Sequence, residues 1–557
     1  MDTPGHRGRH DLATAVSGET GTAEAASATP LRAPRPSRLQ AVWAAGYAVA
    51  GVALFVAYLR VSGTRPDTSD GAANALQAWD MLHGNLLLHG WTVSDVSFYT
   101  TELPEYMGVE LILGLGPGVV HMAAAFTYTL LVLLAGLLAK GRATGREGLV
   151  RVLIASGIML APQLWPGAFI LLLSPDHTGT EVPLLLAWLV LDRAPRRWYV
   201  PVLIGLALAW VGVADRITLI VAVVPLALVC AFRIYQCLAR KEPLVSRWYE
   251  LALGVAAVCS AGTAFLAARL IAQLGGYRVL PLPVSIAAGR AIPTNLKVTG
   301  QGVLALYGAE PSGLHSGAAT ALSAVHLAGL ALAMLGVGVA FWHFFRISDI
   351  VVQVLAVAIV INLAFFAFSN LPLASDVYTV REIAAVLPLG AVLAGRMLSG
   401  PLLSGRALPA GLATGVGATV LACYVAALGY AAAQPSVPAQ EQNLADWLVA
   451  HHLHTGLGRV EANVTTLDSG GRAQLLVTSF RRPRAQPEAY QSKASWYDPR
   501  LHDATFVVST RANGANSYVS HRTVLDDFGP PQRIYRFGGY TIMVWNKNLL
   551  ADLGAPR

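Results

Sequence analysis

Long apolar runs separated by short polar segments repeat along most of the chain. Eleven of these runs are candidate membrane-spanning helices, at 41–58, 113–139, 149–173, 180–192, 199–214, 217–238, 248–273, 320–342, 349–368, 383–399 and 409–430. A helix needs roughly 17–25 apolar residues to cross a bilayer. The runs at 180–192 and 199–214 are shorter, so they are predicted to be tilted, extended by flanking residues or partly re-entrant.

Polar regions flank the apolar runs at both ends. Residues 1–40 are rich in Ala, Gly, Thr, Pro and Arg and are predicted to be a disordered cytoplasmic tail. Residues 41–432 form the multi-span domain, with a first external loop at 62–107, and residues 433–557 are predicted to be a small extracytoplasmic α/β domain. The elements predicted there are an amphipathic helix at 444–453, a hairpin turning at 468–471, strands at 503–510 and 540–546, and a helix at 521–528 closed by Gly529.

Composition excludes an ordinary soluble protein. Hydrophobic residues make up 54% of the chain, charged residues only 13%, and the mean hydropathy is +0.52. Since a soluble domain needs about 25% charged residues, most of this chain is predicted to face lipid. The net charge of +8 does not indicate a nucleic-acid partner, because Lys and Arg lie largely in short loops between the apolar runs. No glycine-rich nucleotide-binding loop follows a predicted strand.

The distribution of Lys and Arg predicts the orientation in the membrane. With the amino terminus inside, every even-numbered connection is basic, as the positive-inside rule requires. An odd number of spans then places the carboxyl terminus outside, so the chain is predicted to be a multi-pass plasma-membrane protein. The polar segments that this topology places outside are 62–107, 174–181, 215–216, 274–319 and 369–382. Because ionisable residues beside a bilayer usually have a partner or a task, we expect these segments to form one external site.

The first external loop concentrates acidic side chains in an otherwise apolar chain: Asp67, Asp70, Asp80, Asp95, Glu102 and Glu105. The run SDGAANALQAWDML at 69–82 predicts an amphipathic helix that lies along the membrane interface. Asp70, in its first turn, has two interpretations that the spacing does not separate. It is a general base whose pKa is raised by burial, or it caps the helix, as Ser69 also can.

Asp95 and Glu102 lie further along this loop, among the hydroxyl side chains of SDVSFYTTELPEYM. Carboxylates in such surroundings bind a divalent cation through oxygen ligands or orient sugar hydroxyls, and the alternative is a solvated loop. Asp176 and His177 are neighbours at a membrane edge. They are candidates for metal ligation or phosphate contact, and capping of a helix end is the alternative for Asp176.

Arg216 and Arg381 are the cations that break the positive-inside pattern. Arginine suits a phosphate through its fixed fork of donors, and we assign that role to Arg381, with Tyr378 beside it in the sequence YTVRE. The alternative for Arg381 is an ion pair with the adjacent Glu382. For Arg216 we favour the equivalent ion pair, with the adjacent Asp215.

Together these features resemble the GT-C superfamily of membrane glycosyltransferases. Members of that superfamily have many spans, an acidic motif and an interfacial helix in the first external loop, and often a soluble external domain at the carboxyl end. The residue-level likeness rests on Asp67 and Asp70, and more loosely on Asp176, His177 and Arg381. The acids of the family motif are often adjacent or one residue apart, whereas Asp67 and Asp70 are three apart, which leaves open which of them is the base. The chain is also similar to membrane proteins of high-GC actinobacteria.

The resemblance implies a sugar delivered on a polyprenyl phosphate and transferred, with inversion, to an extracytoplasmic glycan, lipid or protein acceptor. Asp70 would take the acceptor proton, and Arg381, with His177 or a divalent cation, would stabilise the departing phosphate. Segment 274–319 and the carboxyl-terminal domain would shape acceptor binding. Two alternatives remain. A transporter or flippase is disfavoured because the spans contain few central charges, and a non-catalytic membrane assembly protein is disfavoured only weakly by the elaborate first loop.

Overall fold

The computed structural model describes residues 38–554, except 161–165, 282, 312–315, 375, 406–408, 438, 440–441, 460–461, 481–483 and 511–520. Most of the predicted cytoplasmic tail, residues 1–37, therefore lies outside the described residues. Residues Val49–Arg557 form one compact unit, and it contains every candidate site residue. The described residues of the other unit, Met1–Ala48, belong to the first helix.

The described chain is mainly helical. Its α-helices are α1 (Arg38–Ser62), α2 (Ser69–Leu82), α3 (Glu102–Leu113), α4 (Gly118–Lys140), α5 (Gly145–Met159), α6 (Gly167–Leu171), α7 (Thr178–Arg193), α8 (Tyr199–Ala214), α9 (Val224–Ala239), α10 (Trp248–Gln273), α11 (Ile292–Leu306), α12 (Gly317–Trp342), α13 (Ile350–Phe368), α14 (Val386–Leu403), α15 (Ala410–Ala432), α16 (Gln442–Ala450), α17 (Ala462–Asp468) and α18 (His521–Phe528). Its strands are β1 (Trp91–Val93), β2 (Arg278–Val279), β3 (Thr455–Gly458), β4 (Gln474–Ser479), β5 (Gln486–Pro487), β6 (Ser492–Lys493), β7 (Phe506–Thr510), β8 (Arg533–Phe537) and β9 (Tyr540–Val544).

Eight helices of the described chain are long and apolar enough to cross a membrane. They are Ala41–Ser62, Gly118–Lys140, Leu219–Ala239, Leu244–Gln273, Gly317–Trp342, Ile350–Phe368, Val386–Leu403 and Thr414–Ala432. Each of the eight coincides with a span predicted from the sequence. The predicted span at 149–173 begins in α5 and also includes α6, with residues 161–165 between them outside the described residues. The other two fall on α7 and α8. Helices α5, α7 and α8 have only 15, 16 and 16 residues. The total of eleven spans and the orientation of the termini therefore stay predictions.

Small residues allow the membrane helices to pack closely. A Cβ on Gly336 of α12 would lie 2.7 Å from the backbone of Ala394 in α14. A Cβ on Gly395, the next residue of α14, would lie 2.7 Å from the carbonyl oxygen of Arg151 in α5. Lipid tails are as apolar as the helix surfaces, so close backbone contact of this kind is a main source of cohesion between membrane helices.

The carboxyl-terminal region forms a six-stranded mixed sheet in the order β5-β4-β3-β7-β9-β8, with apolar clusters on both faces. The predicted amphipathic helix, both strands and the glycine-closed helix are present as α16, β7, β9 and α18, and Gly529 has a φ of +76°. The predicted hairpin at 468–471 is wrong. Instead, β3, helix α17 and β4 form a parallel crossover, and Gly470 and Gly471, both at positive φ, end the helix. A glycine pair is compatible with either a hairpin turn or a helix end, so the local signal was ambiguous.

A second, three-stranded sheet connects distant parts of the chain. Strand β1 of the first loop pairs in parallel with β2 and antiparallel with β6 of the carboxyl-terminal region. Trp91 lies opposite Lys493, and Thr92 lies opposite Ser492. The first loop and the carboxyl-terminal domain are therefore joined by backbone hydrogen bonds directly beside the candidate site.

Candidate active site

Helix α2 positions Asp70 at its first turn, and its cap differs from the predicted one. Thr68 is the N-cap residue, and its hydroxyl accepts a hydrogen bond from the backbone N–H of Gly71 at 3.2 Å. The predicted capping by Ser69 or Asp70 is therefore wrong, because Thr68 adopts the extended conformation that a cap requires. The Asp70 carboxylate is consequently available for other partners. The helix is also more buried than an interfacial helix, since it packs against α3, α4 and α17.

Asp70 binds three side chains from distant parts of the sequence. Its Oδ2 lies 3.1 Å from Nη1 of Arg381. Its Oδ1 accepts hydrogen bonds from the Tyr490 hydroxyl at 3.1 Å and from Nε2 of Gln491 at 3.0 Å. The Asp70 side chain is 21% exposed and that of Arg381 is 17% exposed, so both remain accessible.

Arg381 lies on a 3-10 helix, Val377–Ile383, which is capped by the Asp376 side chain. Its Nη1 approaches Asp70 and also Oδ2 of Asp176, at 3.7 Å. Its guanidinium lies 4.2 Å from the ring centroid of Tyr378, a cation–π contact. Within the described chain Nη2 and Nε make no hydrogen bond, which leaves two donors of the fork for an anion.

Burial would lower the pKa of Arg381, but Tyr378, Asp70, Asp176 and Glu382 together raise it well above its ordinary value. The predicted pairing of Arg381 with Glu382 is replaced by the closer contact with Asp70. The charge of Arg381 is therefore permanent, and it is shared among several carboxylates.

Asp176 is buried directly behind this pair. Its Oδ1 accepts a hydrogen bond from Asn74 Nδ2 at 2.8 Å, and its Oδ2 accepts one from the Ser174 hydroxyl at 2.9 Å. Burial is the largest influence on Asp176 and raises its pKa, while the charge of Arg381 opposes the shift. Helix α7 begins at Thr178 without a side-chain cap, so the predicted capping by Asp176 is wrong. Asp176 serves to hold the arginine side of the site.

His177 forms a second ion-pair cluster, back to back with the first. Its Nδ1 lies 2.6 Å from Asp215 and its Nε2 lies 3.4 Å from Glu382. Burial alone would lower its pKa, but Glu382 and Asp215 raise it to about 10, so the ring is an imidazolium that donates from both nitrogens. The backbone of His177 is held at a φ of +62°, an uncommon conformation for a residue with a side chain. Asp215 pairs with His177, so the predicted Asp215–Arg216 ion pair is wrong.

The predicted metal site does not fit these residues. An imidazolium with both nitrogens turned to carboxylates has no lone pair for a cation. Among the residues that the structure describes, no group of three His, Cys, Asp or Glu side chains is arranged to hold a metal ion. We therefore derive no step through a metal.

Glu102 lies outside the reach of any substrate. It is fully buried, and its carboxylate accepts hydrogen bonds from the backbone N–H and the hydroxyl of Thr180, at 2.9 and 3.0 Å. It thereby binds one of the free N–H groups at the start of α7, that of Thr180. Asp95 is half-buried and close enough for its charge to raise the pKa of Glu382 and Tyr490. Asp95 therefore belongs to the periphery of the site, whereas Glu102 is structural.

The fit of Glu102 against α7 depends on Gly179. A Cβ at this position would lie 2.6 Å from Cγ of Glu102 and 2.9 Å from its carboxyl carbon. We expect Gly179→Ala to displace Glu102 and lower the free energy of unfolding by about 1–3 kcal/mol. Thermal unfolding in detergent measures the change. The control is Gly108→Ala in α3, where a Cβ meets nothing within 4 Å; equal stability of the two variants would contradict the prediction.

Asp67 is separated from the arginine cluster. Its side chain is 0% exposed, and its Oδ1 lies 3.2 Å from Nε2 of His121. The Ser62 hydroxyl donates to the carbonyl oxygen of Leu172 at 2.7 Å, so its oxygen accepts from Nδ1 of His121 at 2.9 Å. A neutral His121 then presents an unprotonated Nε2 to Asp67. This arrangement suits a protonated Asp67, whose pKa is raised to about 8 by burial and by the nearby charge of Asp468.

This protonation makes the effect of Asp67 on stability depend on pH. Between its ordinary pKa of 3.8 and its folded value of about 8, the folded protein keeps a proton that the unfolded chain has lost. The stability associated with that proton is complete below pH 4 and is lost as the pH rises to 8. Asn cannot titrate, so we expect Asp67→Asn to gain stability relative to the wild type by up to about 1.4 kcal/mol per pH unit in this range. Unfolding profiles from pH 4 to 9 measure this difference, with exposed Asp446→Asn as the control; parallel profiles for Asp67→Asn and the wild type would contradict it.

The structure brings together Asp70, Arg381, Asp176 and Tyr378, and it places His177 in the adjacent ion-pair cluster. Asp67 and Glu102 are buried beside this cluster and not within it. Sequence reasoning missed Tyr490 and Gln491, which lie 420 and 421 positions from Asp70. It also missed Glu382 as the partner of His177, and Asn74, which faces Asp176. The helical spacing of Asp70 and Asn74, four residues apart, was the one available signal, since it places both on the same face of α2.

Comparisons with known proteins identify the architecture. No protein-family model matches the sequence, and no curated protein sequence matches it. The chain is similar to the crystal structure of ArnT from Cupriavidus metallidurans in the apo state, with 14% identity, a TM-score of 0.53, and coverage of 93% of this chain and 99% of that chain. It is also similar to the crystal structure of ArnT from the same organism bound to undecaprenyl phosphate, with 12% identity, a TM-score of 0.52 and the same coverage.

ArnT is a GT-C glycosyltransferase, so these likenesses show that the chain has the GT-C fold. The chain is a multi-pass membrane protein of this fold with a small carboxyl-terminal α/β domain, which confirms the predicted fold class. At 12–14% identity the likeness concerns the fold alone. The actinobacterial resemblance stays untested.

Proposed function

We propose that this protein is a membrane glycosyltransferase that moves a sugar from a polyprenyl phosphate to a hydroxyl group on an extracytoplasmic acceptor. The observation that carries the proposal is the pairing of an accessible carboxylate, Asp70, with an accessible guanidinium, Arg381, at 3.1 Å within a GT-C fold. The likeness to ArnT bound to undecaprenyl phosphate supports a polyprenyl carrier. The lipid bilayer supplies this carrier, and no nucleotide is required.

The chemistry follows from the two charges. Arg381 holds the donor phosphate through Nη2 and Nε, the donors that make no hydrogen bond within the described chain. Asp70 accepts the proton of the acceptor hydroxyl, whose oxygen attacks the anomeric carbon. The bond from that carbon to the phosphate oxygen breaks, the electron pair stays on the phosphate, and the sugar is inverted. Arg381 stabilises the negative charge that develops there.

Accessibility favours Asp70 over Asp67 as the base. Asp70 is 21% exposed and lies beside the phosphate-binding guanidinium, whereas Asp67 is 0% exposed and faces His121. A general base must come within about 2.6–3.2 Å of the proton that it removes. Asp67 therefore shapes the site from behind, and its proton stays within the protein.

The remaining polar residues have supporting roles in this proposal. Tyr378 covers one face of the Arg381 guanidinium, and its hydroxyl lies 2.9 Å from the Ser174 hydroxyl. The ion pairs of His177 hold the segment before α7 against the helix that carries Arg381, because Glu382 is the residue next to it. These contacts hold the guanidinium in place before substrate binds.

The experiment that tests the proposal is direct. Purified protein in lipid nanodiscs is incubated with labelled polyprenyl-phosphate sugars and with membrane extracts that contain candidate acceptors. Consumption of the lipid-linked sugar, with an inverted glycosidic bond in the product, is the expected result. Failure to bind or consume any such donor overturns the proposal, and movement of the intact donor across the membrane would support a flippase in its place.

A further inference from the structure

One segment of the carboxyl-terminal domain reaches across to the first loop. We name residues 486–493, which include β5 and β6, the strap. Its far end is anchored without Asp70: Nζ of Lys493 lies 3.0 Å from Oδ2 of Asp80, and β6 pairs with β1. The backbone N–H of Ala494 adds a hydrogen bond to the carbonyl oxygen of Gly90 at 2.8 Å. The strap is therefore fixed on the first loop by contacts that are separate from the candidate site.

Between β5 and β6 the strap presents two hydrogen-bond donors to one oxygen. The Tyr490 hydroxyl and Nε2 of Gln491 both donate to Oδ1 of Asp70, while Arg381 contacts Oδ2. A carboxylate has about four lone-pair positions, so these three contacts leave one position, on Oδ2. The free position is therefore on the same oxygen that contacts the guanidinium.

The contact between Gln491 and Asp70 is accompanied by a strained backbone conformation at Gln491. Gln491 has a φ of +52°, a region that residues with side chains rarely adopt, and it is only 1% exposed. Its carbonyl oxygen accepts a hydrogen bond from Nδ2 of Asn463 in α17 at 3.3 Å. Strained conformations persist where the surroundings impose them, and they concentrate at functional sites.

Tyr490 is suited to remain a donor. Burial is the main cause that raises its pKa far above its ordinary range, with the charge of Asp70 acting in the same direction. The hydroxyl therefore keeps its proton at any physiological pH and directs it at Asp70. A donor of this kind fixes the orientation of a carboxylate without taking part in the proton transfer.

We propose that Tyr490 and Gln491 are positioning residues, which hold Asp70 by Oδ1 while the donor phosphate takes over Arg381. This inference rests on the proposed glycosyl transfer. Once the phosphate engages the guanidinium, the Asp70–Arg381 contact weakens and the carboxylate loses its partner on Oδ2. The two strap donors keep the carboxylate from rotating, so that Oδ2 stays directed at the acceptor hydroxyl and receives its proton. The carboxyl-terminal domain is thereby part of the active site.

The test compares variants that remove one contact each. Tyr490→Phe removes the hydroxyl alone, and Gln491→Asn shortens the amide by one methylene while tolerating the positive φ. We expect each variant to lower kcat by roughly 10-fold and to leave the KM for the donor unchanged, as expected when a positioning hydrogen bond is lost. Combined with Asp70→Asn, neither substitution should lower the residual rate further, because both act through Asp70. The matched control is Lys493→Met, which removes an ion pair of the same strap away from Asp70 and should retain kcat.

The possible results separate this inference from the proposed function. If the wild type transfers sugar and both strap variants keep full kcat, the positioning role is overturned and the transferase proposal stands. A rise in the acceptor KM with unchanged kcat would also overturn it, because Tyr490 would then contact the acceptor directly. An equal loss of kcat in Lys493→Met would show that the effect comes from docking of the strap on the first loop. That result would also overturn the positioning role of Tyr490 and Gln491. If the wild type transfers nothing, both proposals fail together.

Discussion

Replacing Asp70 by Asn is expected to lower the rate of sugar transfer roughly 10³-fold, the contribution of a well-placed general base. Asn has nearly the size of Asp but cannot accept the proton of the acceptor hydroxyl. Arg381 remains in place, so the affinity for the lipid phosphate should change little. Transfer rates and donor binding, measured on the same preparation, separate the two effects, since loss of a base lowers kcat without a matching loss of donor affinity.

Two controls make this result specific. Asp446→Asn changes an exposed carboxylate of the carboxyl-terminal domain and should retain wild-type activity. Asp67→Asn replaces a protonated, uncharged carboxyl by an uncharged amide, so it should retain most of the wild-type activity. If Asp70→Asn keeps more than a tenth of the wild-type rate, Asp70 is not the base. Loss of activity in Asp67→Asn alone would transfer the role to Asp67.

Replacing Arg381 by Lys is expected to lower kcat/KM for the donor by about 10²-fold, because the ammonium group cannot offer the two parallel donors that a phosphate binds. Arg381→Ala should lower it by about 10³-fold or more, since it removes both the charge and every guanidinium donor that the phosphate would bind. Binding of labelled undecaprenyl phosphate, measured separately from transfer, should weaken in the same order.

Arg216→Ala provides the matched control, because Arg216 is the other arginine singled out by the charge pattern, is exposed, and takes no part in the cluster that contains Asp70. Its donor affinity should equal that of the wild type. Arg381→Lys retains the positive charge beside Asp70 and Asp176, so its fold should persist, and thermal unfolding verifies this. Unchanged lipid-phosphate binding in both Arg381 variants would refute the assigned role.

The two ion-pair clusters are held together through pairs of adjacent residues. Asp176 and His177 are neighbours, as are Arg381 and Glu382, and each pair sends one residue to each cluster. A shift of the 3-10 helix that carries Arg381 therefore moves both clusters. The site also contains more carboxylates than cations, so a bound anion depends on the permanent charge of Arg381.

Local patterns in the sequence determined the architecture of this protein. In lipid, apolar runs of about 20 residues require helices, which satisfy their backbone polar groups internally. Eight of these runs form helices in the described chain that are long and apolar enough to cross a membrane. Strands β7 and β9 of the carboxyl-terminal domain and the existence of a helix at 69–82 were also predicted correctly, because hydrophobic periodicity acts over a few residues. The hairpin at 468–471 failed, since two glycines are compatible with more than one backbone path.

The sequence alone identified only some of the residues that form the site. Acids and arginines in a lipid-rich chain indicate a site, because uncompensated charge is unfavourable beside a bilayer, and on that basis Asp70, Asp176 and Arg381 were selected. Tertiary structure alone decided their pairing. Asp70 could have capped its own helix, but Thr68 does so. The partners of Asp70 are instead Arg381, Tyr490 and Gln491, which are 311 to 421 positions away.

The physical reason for this division is the range of the interactions. Helix and strand patterns arise from contacts between residues that are near in the chain, whereas a carboxylate pairs with whatever the fold brings within about 4 Å. Burial likewise separated Asp67 from Asp70, two acids that the sequence presents as equivalent, since one is 0% exposed and the other 21%. The sequence determined that this chain has an acidic site at a membrane, and only the tertiary structure decided which acid can act there.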